Sequence, residues 1–392
     1  MNKSKPSAQK RSLRRRDFLA TGAAASMAVA LSPEESAAQS LAGAKSYAAT
    51  GPAKPWNLPQ RPGPPISIDV HTHWAPEGYL KAKADLGRPD NANPSNHDME
   101  RRAKWMDAHG VQTQVLSLGG FMPWQWVTPE QGAHIAQIVN DAGIQVHAAY
   151  PQRFIACIEL PAGDAVGSLK ELNRVAGKPG MVAVHLPNSL ASREYLFEPA
   201  FAPVLARIQE LKLPIFMHPL DGEPNWYAGH RLADEYSGIN PNAPVSLFPG
   251  LTNSVGETFE QATTAAKFIV SGTLDKYPDL TIIFGHSAGA FPFVASRLEW
   301  RPSGNLKNSI LSYLRRFYYD SQTYYTIGLR YMIDLVGSDR VVLGTDNMGA
   351  GQDDAALKPG GPGPHSVIDQ LNIPDADRDL ILRGNLKRLF NL

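Results

Sequence analysis

The segment His71-Thr72-His73 constrains the fold more than any other feature of this chain. It follows the apolar run Ile66-Ser67-Ile68-Asp69-Val70, and residues two apart on a β-strand point to the same face. Both imidazoles are therefore suited to binding one metal ion. Three later apolar runs also end in a His or Asp: Phe216-Met217-His218, Phe284-Gly285-His286 and Leu343-Gly344-Thr345-Asp346. Because the strand ends of a (β/α)8 barrel meet at one rim, these segments predict a TIM barrel with a metal site at that rim.

The alternation of apolar runs with helical patterns supports the same α/β fold. Eight runs predict strands, and the intervening patterns favour a parallel barrel over an open sheet. No glycine-rich phosphate loop follows the first strand, which argues against a dinucleotide-binding fold. The predicted strands are 67–70, 114–118, 154–160, 181–184, 214–217, 280–284, 317–319 and 340–343. The predicted helices are 98–109, 129–150, 164–176, 199–212, 252–271, 290–300, 327–336 and 375–390, with rim-loop insertions at 221–250 and 349–365.

The composition of the chain excludes several classes of partner. The 392 residues are 43% hydrophobic and 19% charged, with a formal net charge of +1, so we expect no nucleic-acid partner. After the first fifty residues no apolar stretch is long enough to span a bilayer, so we expect no stable membrane anchor. Cys157 is the only cysteine, which excludes an intramolecular disulfide. A small-molecule substrate is the remaining expectation.

The N-terminal residues carry the pattern of an export signal. Arg15-Arg16-Asp17-Phe18-Leu19 matches the twin-arginine motif, and an alanine-rich stretch, 20–31, follows it. We therefore predict a twin-arginine export signal over 1–44, a Pro-rich linker or arm over 45–65 and the barrel over 66–392. The predicted location is the periplasm. A disordered basic arm is the alternative interpretation of the same residues.

The four strand-end groups predict a particular cation and a proton-transfer group. The imidazoles of His71, His73 and His218 and the carboxylate of Asp346 form a nitrogen-rich set that suits one Zn²⁺ ion per subunit, or another first-row divalent ion. His286 is then free to act as a general acid or base. We assign Asp346 a catalytic role as well, because a ligating carboxylate can also exchange a proton.

Other polar and aromatic residues near the predicted rim are candidates for substrate binding. His185 follows the fourth predicted strand and is expected to face the pocket. Three roles are open to it there: binding a second metal ion, contacting the substrate, or a hydrogen bond within the rim. Trp226 lies in the first long insertion and is a candidate for stacking on an unsaturated or aromatic substrate. Trp124, in another rim loop, fits either a stacking role or that of a buried loop anchor.

Six segments resemble the amidohydrolase superfamily, in the amidohydrolase-related branch that includes aminocarboxymuconate-semialdehyde decarboxylases. They are residues 68–73, 150–154, 218–221, 285–293, 342–346 and 384–390. The resemblance implies that His71, His73, His218 and Asp346 bind zinc and that His286 is catalytic. It also implies that Arg297 reaches the substrate site of a neighbouring subunit, so we expect a homodimer. The chain departs from the family pattern where Ser287-Ala288-Gly289 replaces three glycines, which argues against an identical substrate.

The resemblance leaves two enzymatic activities open. The first expectation is a metal-dependent carboxy-lyase, a nonoxidative decarboxylase of a small unsaturated or aromatic carboxylic acid. The alternative is a metal-dependent hydrolase of a lactone, ester or amide, which would use the same ligands. A barrel that binds a small molecule without turnover is a third, non-enzymatic interpretation.

Overall fold

Eight parallel strands form one sheet in chain order. A computed structural model describes residues 67–89, 96–190, 193–220, 255–301, 304, 306–323, 325–346 and 366–392. Every neighbouring pair from the first to the eighth strand is parallel, which confirms the predicted (β/α)8 barrel. The strands are β1 Ser67–His73, β2 Val111–Ser117, β3 Phe154–Glu159, β4 Met181–Pro187, β5 Ile215–His218, β6 Ile282–Phe284, β7 Phe317–Asp320 and β8 Val341–Val342.

The barrel closes between β8 and β1 through hydrogen bonds just beyond the short last strand. The N–H of Val70 donates to the carbonyl oxygen of Leu343 at 3.0 Å. The carboxylate of Asp69 accepts the N–H of Thr345 at 3.1 Å and also its hydroxyl. Burial is the largest effect on the pKa of Asp69. It raises this pKa to about 7, and the hydrogen bonds from Thr345 offset the rise only in part. A side chain thus replaces part of the missing strand ladder at this seam.

The helices lie mostly where the periodic patterns predict them. The described α-helices are Glu77–Asp85, Met99–His109, Pro129–Ala149, Ala165–Val175, Ala202–Glu210, Glu257–Val270, Thr273–Lys276, Phe291–Val294, Arg297–Trp300, Ile310–Leu314, Thr326–Val336, Ser366–Asp369, Asp375–Asp379 and Asn385–Phe390. A π-helical turn, Leu380–Gly384, joins the last two. Helix Glu77–Asp85 was not predicted, because only Tyr79 on it is buried and it lacks an apolar stripe. The predicted helix over 290–300 is two short helices instead. None of the described helices combines the length and apolar character needed to cross a bilayer.

The hydrophobic core has two layers. One lies inside the barrel, and the other lies between the strands and the surrounding helices. The larger layer packs the outer faces of the strands against the helices. The smaller layer fills the barrel and includes Ile68, Val70, Val115, Cys157 and Phe216. Burial raises the pKa of the Cys157 thiol well above its usual range, as expected for an inert core cysteine.

A bulge in β1 decides which side chains of that strand reach the site. Asp69 pairs with Gln114 and Thr72 with Leu116, so two residues of β1 oppose one of β2. Strict alternation from the interior residue Val70 would place Thr72, not its neighbours, inside the barrel. The extra residue resets the alternation, and His71 and His73 face inward instead. The backbone N–H of His71, inside the bulge, donates to the carboxylate of Asp69 at 3.2 Å.

Several sequence predictions fall outside the described residues. They are the export signal over 1–44, the linker over 45–65, Trp226 within the first insertion, and the insertion 349–365. These remain predictions.

Candidate metal centre

The four predicted ligands meet at the carboxyl-terminal mouth of the barrel. One potential ligand atom from each of His71, His73, His218 and Asp346 lies within 4.8 Å of the others. The Oδ1 atom of Asp346 is 3.2 Å from Nε2 of His71 and 3.1 Å from Nε2 of His73. The rings of His71 and His73 stack with centroids 5.5 Å apart. Strands β1, β5 and the segment after β8 therefore deliver three imidazoles and one carboxylate to one point.

The pattern of hydrogen bonds shows that this cluster fits a cation. The Nε2 atoms of His71, His73 and His218 are buried and make no hydrogen bond, although two of them face the carboxylate of Asp346. Nδ1 of His71 instead contacts Asp320 at 2.6 Å, and Nδ1 of His218 contacts the carbonyl oxygen of Pro219 at 2.6 Å. Ligating histidines are commonly oriented in this way, with one nitrogen held by an acceptor and the other directed at the metal. Three buried imidazole nitrogens without hydrogen bonds would otherwise be costly.

The pKa values of the cluster favour a positive charge among the four side chains, which either a proton or a metal ion can supply. Burial lowers the pKa of His71, but the carboxylates of Asp346 and Asp320 outweigh burial and raise it to about 10. Burial and the neighbouring histidines lower the pKa of His218 well below its usual range. Burial would raise the pKa of Asp346, yet the surrounding imidazoles hold it well below its usual range. Because a protonated imidazole cannot bind a cation, metal binding would release the proton of His71.

Asp320, at the end of β7, joins the metal cluster to the turn that carries His286. Its Oδ2 atom contacts Nδ1 of His71 at 2.6 Å and accepts the backbone N–H of His286 at 3.0 Å. Its Oδ1 atom accepts the backbone N–H of Ser287 at 2.8 Å. One carboxylate thus orients a ligand and a neighbouring loop together. Asp320 was not predicted as a site residue, although it ends an apolar strand.

His286 lies beside the four ligands on a strained turn. His286, Ser287 and Ala288 have φ values of 48°, 53° and 58°, a left-handed conformation that costs roughly 1–2 kcal/mol per residue. Asp346 shares this conformation, with a φ of 58°. Nε2 of His286 is 3.7 Å from Oδ2 of Asp346, and Nδ1 lies 2.9 Å from the side-chain nitrogen of Gln261. Strained backbone held by specific hydrogen bonds is typical of functional sites.

Two glycines, Gly119 and Gly344, have no side chain where residues of the site pack against them. A Cβ atom on Gly119 would lie 2.5 Å from Cε1 and Nδ1 of His73. A Cβ atom on Gly344 would lie 2.6 Å from Cβ of Asp320 and 2.9 Å from Cβ of His71. Gly119 also has a φ of +55°, which disfavours any side chain. The segment after β2 therefore forms one wall of the site.

The predicted substrate-binding residues occupy different environments. His185 is fully buried inside the barrel, with Nδ1 2.8 Å from Oε1 of Glu159. Arg297 is exposed on its short helix. Trp124 is only 3% exposed, which supports the buried-anchor interpretation over stacking. Gln261, Asp320 and Glu159 were missed; Asp320 and Glu159 end strands and could have been noted, but Gln261 lies on a helix without any such signal.

Comparisons with known proteins place the chain in a family. A family model described as amidohydrolase matches residues 68–392, so the chain belongs to the amidohydrolase family. It is 26% identical over 310 residues to the 2-amino-3-carboxymuconate-6-semialdehyde decarboxylase of Dictyostelium discoideum, covering 72% of this chain and 81% of the relative. It is 28% identical over 313 residues to a gamma-resorcylate decarboxylase of a Rhizobium species, covering 75% and 87%.

A solved structure also matches over most of its length. The dihydroxybenzoic acid decarboxylase of a Polaromonas species, with bound manganese and the inhibitor 2-nitroresorcinol, aligns with a TM-score of 0.65 at 26% identity. The alignment covers 83% of this chain and 97% of that chain. The likeness supports a divalent metal at the His₃Asp cluster.

Proposed function

We propose that this protein is a metal-dependent nonoxidative decarboxylase of a small aromatic or unsaturated carboxylic acid. The observation that carries the proposal is the position of His286, which lies beside a four-ligand cation site without belonging to it. Decarboxylation needs a group that binds the carboxylate and a separate group that supplies a proton to carbon. The similar proteins named above are all decarboxylases.

The residues of the site divide the reaction between them. A divalent cation held by His71, His73, His218 and Asp346 would supply positive charge that binds the substrate carboxylate. His286, whose side chain is 12% exposed, delivers a proton to the carbon that carries this carboxylate. The bond to the carboxylate then breaks, its electron pair restores the unsaturated system, and carbon dioxide leaves. Asp346, next to His286, keeps the imidazole close to the reacting carbon through charge.

Product analysis separates this reaction from the alternative hydrolysis. The metal-loaded protein is incubated in D₂O with hydroxybenzoates, other aromatic and enoic acids, lactones and esters. We expect carbon dioxide together with a product that carries one deuterium at the vacated carbon. An acid plus an alcohol or amine, without carbon dioxide, would support the hydrolase instead.

Zn²⁺ is our proposal for the native ion. Three imidazoles and one carboxylate form a donor set that zinc accepts readily. The related structure with bound manganese makes Mn²⁺ the competing ion. Metal analysis of the purified protein, followed by reloading of the stripped protein with each ion, tests the assignment; greater activity with Mn²⁺ at equal occupancy would contradict it.

We further propose that two copies associate through the helices Phe291–Val294 and Arg297–Trp300. Phe293 is 58% exposed and Trp300 88% exposed, an apolar surface that a partner would cover. Arg297 on the same surface would then approach the neighbouring site. We expect Trp300→Asp to shift the mass in solution from dimer to monomer, whereas the control Val166→Asp, at another exposed apolar residue, leaves the dimer intact.

The N-terminal motif supports export by the twin-arginine route as a further proposal. Replacing Arg15 and Arg16 by lysine should retain the protein in the cytoplasm, whereas Arg11→Lys, outside the motif, should not. Immunoblots of periplasmic and cytoplasmic fractions measure the outcome. Unchanged export of the double variant would contradict the proposal.

A further inference from the structure

Glu159 and His185 form a buried polar pair inside the barrel that the metal site does not use. Glu159 ends β3 and His185 lies near the end of β4, where their Cα atoms pair in register. Oε1 of Glu159 contacts Nδ1 of His185 at 2.8 Å and accepts the N–H of Leu118 at 2.8 Å. Both side chains are at most 1% exposed. The remaining polar atoms, Oε2 of Glu159 and Nε2 of His185, are buried and have no hydrogen-bond partner.

The pair lies immediately next to the metal cluster. The ring of His185 stacks on Phe216 at 5.7 Å and lies 6.3 Å from the ring of His218. Phe216 in turn contacts the ring of His71 at 5.3 Å. Because Nδ1 of His185 is held by β3, its other nitrogen lies on the side of the ring away from β3. His185 is outside the group of four ligands that share one ion.

The chemistry of the two free atoms defines what they bind. Glu159 accepts the hydrogen of Nδ1, which leaves Nε2 as the ring nitrogen of His185 that can accept a hydrogen bond. Oε2 of Glu159 is also an acceptor. Two buried acceptors without partners are unfavourable until a donor satisfies them. A ligand with a hydroxyl or amino hydrogen supplies that donor, and one with a methoxy group in its place does not.

We propose that Glu159 and His185 form an acceptor subsite that selects carboxylic acids carrying a hydroxyl or amino group. The inference rests on the proposed decarboxylase function for the placement of the carboxylate at the cation. It adds a specificity-determining pair on β3 and β4 to the proposed proton donor His286, which follows β6. A substrate held at both points would be oriented as well as bound.

Direct binding measurements test the subsite without relying on turnover. Dissociation constants are measured by calorimetry for the Zn²⁺-loaded protein with 2-, 3- and 4-hydroxybenzoate and the matching methoxybenzoates. We expect at least one hydroxy isomer to bind tenfold or more tightly than its methoxy counterpart. Equal affinities within every pair would overturn the proposal, and would show that the two acceptors are served by water only.

Glu159→Gln is the informative variant, because it keeps an acceptor for Leu118 and His185 but converts the second oxygen into a donor. We expect the hydroxy preference to fall at least fivefold while zinc content and Tm change little. Glu171→Gln is the matched control: Glu171 is also a buried carboxylate, held by Asn140 at 2.7 Å on the helix layer. An unchanged preference in Glu159→Gln would contradict the proposal.

A second variant covers the case in which Glu159→Gln does not fold. His185→Phe combined with Glu159→Leu replaces both members of the pair by apolar side chains, so that only the N–H of Leu118 loses its acceptor. It should abolish the hydroxy preference, and a retained preference would again refute the subsite. Carbon dioxide release without any hydroxy preference would refute the subsite alone. A hydroxy preference without carbon dioxide release would refute the proposed function alone.

Discussion

At the scale of single residues, the site depends on close packing and on an unfavourable backbone conformation. The imidazole of His73 packs so closely against Gly119 that a methyl group there would overlap the ring. His286 depends on three successive residues in a conformation that L-amino acids avoid. Substitutions at such positions should change the function of the site without unfolding the protein. Gly119 tests metal binding, and His286 tests catalysis.

The Gly119→Ala variant should weaken metal binding. The new methyl group displaces the ring of His73, and we expect about a tenfold loss of Zn²⁺ affinity, comparable to the loss of a supporting interaction. Competition with a chelator measures this affinity. Gly87→Ala is the matched control, since Gly87 also has a positive φ (+75°) but nothing lies within 4 Å of its Cβ position. Equal effects in both variants would show that backbone strain alone is responsible.

The His286→Ala variant should separate catalysis from metal binding. We expect kcat to fall by about 10²- to 10⁴-fold, the usual contribution of a general acid or base, with zinc content unchanged. His134→Ala, on the exposed face of helix Pro129–Ala149, serves as the control. Loss of zinc from His286→Ala would identify His286 as a ligand. Asp346→Ala, in contrast, should lose zinc and activity together.

At the scale of elements, carboxylates connect β1 to β7 and to the segment after β8. The carboxylate of Asp69 accepts the backbone N–H of His71 within the bulge of β1, and it also accepts the backbone N–H of Thr345 after β8. Asp320 joins β7 to a β1 ligand and to the turn after β6. Alternation within β1 correctly predicts that His71 and His73 share a face. It does not predict that this is the barrel face, since the bulge arises from pairing with β2.

The Asp320→Asn variant tests this connection. The amide cannot provide the charge that orients His71, so we expect Zn²⁺ affinity to fall by about 10- to 100-fold and Tm to decrease. Asp334→Asn, which removes an exposed carboxylate from helix Thr326–Val336, is the control. Chelator competition and thermal denaturation report the two effects. Zinc affinity equal to that of the wild type would show that Asp320 only supports the fold.

At the scale of the whole molecule, a bound cation would connect distant parts of the chain. Its ligands come from β1, from β5 and from the segment after β8, which are separated by well over a hundred residues. Such a site is absent from the unfolded chain, so its binding free energy adds to the stability of the barrel.

Metal removal should therefore lower the thermal stability of the protein. At a free Zn²⁺ concentration of about 100 times Kd, linkage predicts about 2.7 kcal/mol of stabilisation, which corresponds to a Tm difference of several degrees. Differential scanning calorimetry with and without chelator measures it. The His71→Ala variant should show no chelator effect, and an equal effect there would place the stabilising ion elsewhere.

Hydrophobic periodicity and strand-end position are local properties of the chain, so the amino-acid pattern was enough to predict the class of fold and the candidate metal ligands. His71, His73, His218 and Asp346 were identifiable from the runs that precede them. The contacts that support these ligands, in contrast, are visible only in the folded molecule. The bulge in β1, the bridging role of Asp320, the contact of Gln261 with His286 and the pairing of Glu159 with His185 join residues far apart in sequence. Such contacts depend on register and packing, which local pattern does not encode.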